Sequence, residues 1–120
     1  MAQRSPFVIP GLPDHRDFNA NQLHSLYAIE LADGTVKIGT TWNPSERVPM
    51  FCRRVGVLPV RAAVVSIPAD SARFKCERWA LDRARRIAGA VKGRERFMGL
   101  NFGQARNLIK QAVRADRKEA

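Results

Sequence analysis

Two short alternating runs joined by a turn constrain this chain more than any other feature. Residues 25–31 (SLYAIEL) alternate as a half-buried strand does, and Thr35-Val36-Lys37-Ile38-Gly39 reads as a second strand. Ala32-Asp33-Gly34 between them is a turn signal, so the two runs form a β-hairpin. A hairpin this early commits the rest of the chain to covering it. Residues 59–67 (PVRAAVVSI) supply a third strand.

Helix signals alternate with the strands. Asn43-Pro44-Ser45-Glu46-Arg47 has an N-cap residue, a proline at the first helical position and an acid in the first turn. Pro49 lies a few residues on and is expected to kink or shorten that helix. Asp70 or Ser71 caps a long helix to about Ala90, Lys92 to Arg96 is read as a basic loop, and a last helix runs from Gly103 or Gln104 to about Arg117. The order ββαβα plus a C-terminal helix predicts an α+β fold, a small three-stranded, mainly antiparallel sheet flanked by helices. With 120 residues there is room for one domain. Residues 1–22, rich in Pro, Asn and Asp, read as a partly ordered arm ahead of a domain at 23–120, with Phe7, Val8 and Ile9 able to tack it down.

Charge narrows the partner. The chain has 21 Lys+Arg against 11 Asp+Glu, a formal net charge of +10. Residues 1–70 hold 7 basic and 6 acidic side chains and residues 71–120 hold 14 and 5, so nine of the ten net charges lie in the last fifty residues. That asymmetry points to a polyanion, most often nucleic acid, against the plainer reading of a solvated basic surface. Arg83, Arg86, Lys92, Arg94, Arg96, Arg106 and Lys110 are the expected phosphate contacts. Few aromatics stand among them, which favours duplex backbone contact over single-strand stacking. No apolar run approaches the ~18 residues of a spanning helix, and the N-terminus lacks a signal-peptide core, so a cytoplasmic location is the default. Cys52, Cys76, His15 and His24 have no zinc-finger or disulfide-framework spacing.

One residue sits oddly. At ~100° per residue the helix 70–90 gathers Phe74, Cys76, Ala80, Leu81, Ala84, Ile87 and Ala88 on one arc, with Glu77 near its middle. A carboxylate there needs a cationic partner, such as Arg73, or a metal, or a raised pKa.

The hairpin and the helices after it carry a family resemblance. Ser25-Leu26-Tyr27, Lys37-Ile38-Gly39, Arg47 in the next helix and Glu77 in a later one resemble the GIY-YIG nuclease superfamily, over roughly residues 25–100. The stretch LYAIELADGTVKIGTTWNPSERV is especially similar to the branch common in phage and bacterial proteins, where the second motif reads KIG and Asn-Pro precedes the arginine. Gly93 to Phe97 resembles a Gly-Glu-aromatic element of that branch.

The resemblance implies a DNA endonuclease using Mg²⁺ or Mn²⁺. Tyr27 would orient or deprotonate the attacking water, and Lys37 stands where the family has its second tyrosine. Arg47 would sit beside the scissile phosphate, Glu77 would hold the single cation, and Gly39 would leave the site uncrowded. Ser25 replaces the family's first glycine. The residue types suit the chemistry: hydrolysis gathers negative charge on phosphate oxygens, which a guanidinium and a cation offset. A phenol is a poor base near neutrality unless positive charge stands close, which Lys37 on the paired strand would supply. Lys37 could instead be the base. Each residue also has a structural reading: Tyr27 as core, Lys37 as a solvated strand residue, Arg47 paired with Asp70 or Glu46. A non-cutting DNA-binding module of the same fold and a small protein-interaction module are the rival functions. A homodimer or protein partner would supply specificity that one small domain lacks.

Overall fold

A computed structural model describes residues 9–12, 24–67, 72–92 and 96–119, the side chains of Arg73, Ala90, Lys92 and residues 117–119 apart. The order is β1 (Ser25–Leu31), β2 (Val36–Thr41), α1 (Pro44–Val55), β3 (Pro59–Ser66), α2 (Arg73–Ile87), β4 (Ala90–Lys92), β5 (Arg96–Met98) and α3 (Phe102–Glu119). The class is α+β as expected. The sheet, however, has five strands in the order β3-β1-β2-β5-β4 rather than three, and every pairing is antiparallel. The two extra strands take in Lys92 and Arg96, the ends of the segment expected to be a basic loop, whose residues 93–95 lie outside the described residues, and β5 adds to the free edge of β2 through Val36 opposite Phe97 and Lys37 opposite Arg96.

The hairpin turn follows its sequence. Asp33 accepts from the backbone N–H and the hydroxyl of Thr35, at 3.0 and 2.6 Å, and fixes the chain direction into β2. Of the two effects expected of Pro49, it does not shorten α1, which continues to Val55. Proline removes one helical N–H donor, and the packing of Val48, Phe51 and Cys52 on the covered face offsets that cost. The helix stops at Gly56, which takes the left-handed conformation, φ 73°, and donates to the Cys52 carbonyl. Asn43 caps through its backbone oxygen, which accepts from Glu46 and Arg47, not through its side chain. Asn101 and Gln104 bond reciprocally at the start of α3, at 2.9 and 2.8 Å, a capping box.

Strand alternation splits the core in two. Leu26, Ala28, Val36, Ile38 and Phe97 point to the side covered by α2 and α3. Tyr27, Ile29, Leu31 and Ala62 point to the side covered by α1, through Val48, Phe51 and Cys52. The α2–α3 contact is built on small residues. Cys76, Ala80 and Ala84 are buried four residues apart, and the Cys76 thiol donates to the Ala112 carbonyl at 3.8 Å. The expected apolar arc on α2 is therefore narrower than its sequence suggests. Phe74 is 60% exposed and Ile87 42% exposed, because the helix packs through its small side chains and turns its bulky ones outward. Asp70 and Ser71, the expected caps of this helix, lie outside the described residues.

Part of the N-terminal arm is seated. Ile9 is buried in the α1-side core, and the Pro10 carbonyl accepts the Ala62 N–H of β3 at 2.7 Å. Gly11 has φ +89°, and a Cβ there would stand 1.7 Å from the Ala62 oxygen, so only glycine fits this close approach. Phe7 and Val8 lie outside the described residues.

Candidate active site

The site grows from the middle of the hairpin. Tyr27 on β1, an interior strand, faces Gly39 across one ladder and Val64 across the other, so no side chain on β2 stands directly opposite its ring. Two residues away, Lys37 faces Ile29 and projects to the same side. Lys37 is only 6% exposed and Tyr27 only 2%. Tyr27 thus has the core position of its structural reading, while Lys37 is not a solvated strand residue. The Lys37 ammonium lies 5.9 Å from the Tyr27 ring centroid and 5.1 Å from that of Phe51 on α1. It also donates a long bond, 3.4 Å, to the Ile38 carbonyl. Two aromatic faces of negative quadrupole replace part of the water that this cation loses on burial.

Arg47 is exposed on α1 and makes no ion pair among the described residues, so it is not held by Glu46. Asp70, its other expected partner, is outside the described residues. Glu77 is half-buried beside the Cys76–Ala80–Ala84 stripe rather than at its centre. With Phe74, Arg78, Leu81, Asp82 and Arg85 it lines a groove of about 400 Å³ on α2. The structure therefore brings Tyr27 and Lys37 together, with Phe51 above them. It sets Glu77 on the helix that packs against the opposite side of the sheet.

The expected phosphate contacts divide likewise. Arg83 on α2 stacks on Trp79, its guanidinium carbon 3.6 Å from the ring centroid, and Arg86 is exposed on the same helix. Arg106 and Lys110 are exposed on α3. Arg96 stands apart from these, on β5 directly across from Lys37, and pairs with Asp33 at 2.7 Å. The Lys92 side chain and Arg94 lie outside what is described.

Sequence reasoning passed over Phe51, whose signal was its place three residues after Val48 on the covered face of α1. It also passed over the Arg96–Lys37 juxtaposition, which no local pattern reveals because it depends on β5 pairing with β2. An exposed Trp42 stacks on His24 at 6.1 Å beyond the same end of the hairpin where β1 begins.

Burial pushes the Cys52 thiol above its ordinary value, while the charges of Arg53 and Arg96 pull it partly back. On the other side of the sheet, burial raises the Cys76 thiol and Asp116 raises it further, with Lys75 opposing. Among the described residues no group of three His, Cys, Asp or Glu is placed to hold a metal ion. No helix is long and apolar enough to cross a membrane among them either. No family model, curated protein or solved structure matches the chain.

Proposed function

We propose that this chain is a small divalent-metal-dependent endonuclease that hydrolyses DNA phosphodiester bonds, with Tyr27, Lys37, Arg47 and Glu77 as its working residues. The observation that supports it most is the buried Lys37 ammonium set against the Tyr27 ring in the centre of the hairpin. A buried cation is costly and demands a use. Placed by a phenol, it holds positive charge where a phosphate would gather negative charge. Arg47, exposed and without an ion-pair partner among the described residues, has its guanidinium donors available for a non-bridging oxygen.

The Glu77 groove is open and has one carboxylate besides the Asp82 that Arg85 engages at 3.2 Å. One carboxylate suits Mg²⁺ or Mn²⁺, which keeps most of its water ligands. A cation held there would supply Lewis-acid stabilisation to a phosphate that reaches the α2 side of the sheet, across from Tyr27 and Lys37.

The rival reading is a module of the same fold that binds DNA without cutting. What favours it is the position of Glu77 on the helix of the opposite side, between Arg78 and Arg85. A plasmid nicking assay with Mg²⁺ or Mn²⁺ separates the two. Cutting by the wild type that is lost in Glu77→Ala and Arg47→Ala, with DNA binding retained, supports the nuclease. Binding without cutting in any divalent metal supports the module. Weak sequence preference is expected of the lone domain, with a homodimer or protein partner supplying specificity.

A further inference from the structure

The outer face of α2 carries charge that the packing of the fold does not explain. Its 15 residues, RFKCERWALDRARRI, hold six basic side chains against two acidic ones. The helix dipole accounts for Arg85 and Arg86, which stand in the last turn. It does not account for Arg78 and Arg83, which lie before that turn. Lys75 is paired with Asp116 of α3 at 3.6 Å, and Asp82 with Arg85 at 3.2 Å. Arg78 and Arg83 make no ion pair or hydrogen bond among the described residues.

Arg83 is nonetheless held in place. Lys75, Trp79 and Arg83 stand four residues apart and form one stripe along the helix. The Arg83 guanidinium carbon lies 3.6 Å from the Trp79 ring centroid, so the flat cation rests on the flat ring. The indole is half-buried and packs on the α2-side core. A stack of this kind occupies the face of the guanidinium and leaves the N–H donors at its edge for an acceptor. It also removes rotamer freedom that binding would otherwise have to remove. With Lys75, Arg78 and Asp82 the pair lines an open groove of about 420 Å³. Arg78 and Asp82 line the Glu77 groove as well, so the two grooves meet there.

We infer that this groove on α2 is a phosphate clamp for duplex DNA, in which Arg83, positioned by Trp79, and Arg78 grip the backbone; the clamp rests on the nucleic-acid reading proposed above and adds to it the surface that holds the strand. A phosphodiester offers the paired oxygens that a guanidinium edge takes. A duplex fits better than a single strand. Arg83 covers one face of the indole and the ring packs on the core, which leaves no platform for an unpaired base.

The test is fluorescence anisotropy of a short labelled DNA duplex across a salt series. Arg83→Gln is expected to weaken binding roughly tenfold and to lower the log–log salt slope by about 0.9, one phosphate contact. Arg83→Lys restores the slope but not the full affinity, since an ammonium lacks the paired donors. Arg78→Gln, at an exposed position, lowers the slope by a similar amount without risk to folding. Arg61→Gln is the charge control, because Glu30 already engages that guanidinium at 2.6 Å. Trp79→Leu keeps every charge and weakens binding about threefold at an unchanged slope, and Trp79→Phe recovers part of that loss. In the Arg83→Gln background Trp79→Leu costs nothing more, which a purely structural tryptophan would not give. Equal losses in the two backgrounds overturn the positioning role of Trp79. If wild type binds with a steep slope while Arg83→Gln and Arg78→Gln both match Arg61→Gln, the clamp is overturned and the nucleic-acid reading stands. Absence of duplex binding by the wild type overturns both.

Discussion

The two sides of one sheet are built to different rules. On the side of α2 and α3, the strands present Leu26, Ala28, Val36, Ile38 and Phe97, all apolar and all buried. On the side of α1, the alternate residues of the same strands mix Tyr27, Ile29 and Leu31 with Lys37 and Arg96. Neighbours in sequence, Lys37 and Ile38, thus live in opposite electrostatic worlds, both almost fully buried. The comparison teaches that this fold draws its stability mainly from one side and accommodates buried charge on the other. Violations of good packing gather where a protein does something besides fold.

The hardest blow to this comparison is to move the charge by one residue. Ile38→Lys places an ammonium among Leu26, Ala28 and Phe97 without an acceptor, and about 3–5 kcal/mol or more of stability should be lost. Urea denaturation checks it, and a variant as stable as wild type would show the two sides to be equivalent. A milder intervention is Lys37→Met, which swaps the buried cation for an apolar chain of similar length. Stability should hold or rise by about 1 kcal/mol, while DNA nicking is lost. A large loss of stability instead would make Lys37 a structural residue.

The smallest expected effect is in the two thiols, one on each side. Both are raised above the ordinary value of 9.0, so the stability they contribute is complete below that pH and is lost as pH climbs through the raised values. Arg96 and Arg53 restrain the rise at Cys52, whereas Asp116 adds to it at Cys76. Alkylation by iodoacetamide above pH 8 should therefore modify Cys52 before Cys76, as peptide mapping would read. Reversed order would mean that access, not charge, governs them.

Much of this fold was legible in local chemistry. The Asp33-Gly34 turn, the Asn43-Pro44 helix start and the run at 59–67 all lie where their sequences place them, because each is decided by residues a few positions apart. The β4–β5 hairpin was not legible. Its strands are three residues each, and their pairing depends on the free edge of β2. The face of α2 was misread for a related reason. Periodicity groups Phe74 with Cys76 and Ala80, but a helix that must approach α3 closely buries the small residues and leaves the ring outside. Of the candidate site, the Tyr27–Lys37 pairing follows from strand alternation alone. The place of Glu77 does not, since a helix's position relative to the hairpin is a long-range property.

The seating of Pro10 against Ala62 has a consequence for solubility. β3 is an outermost strand, and Leu58 and Val60 on and beside it are 66% and 46% exposed. An open strand with apolar side chains is a template for another chain to add to. The turn at residues 9–12 occupies that edge with a carbonyl of its own, and the fit depends on the absence of a single methyl group at Gly11. A few residues ahead of the hairpin thereby serve as a guard against self-association.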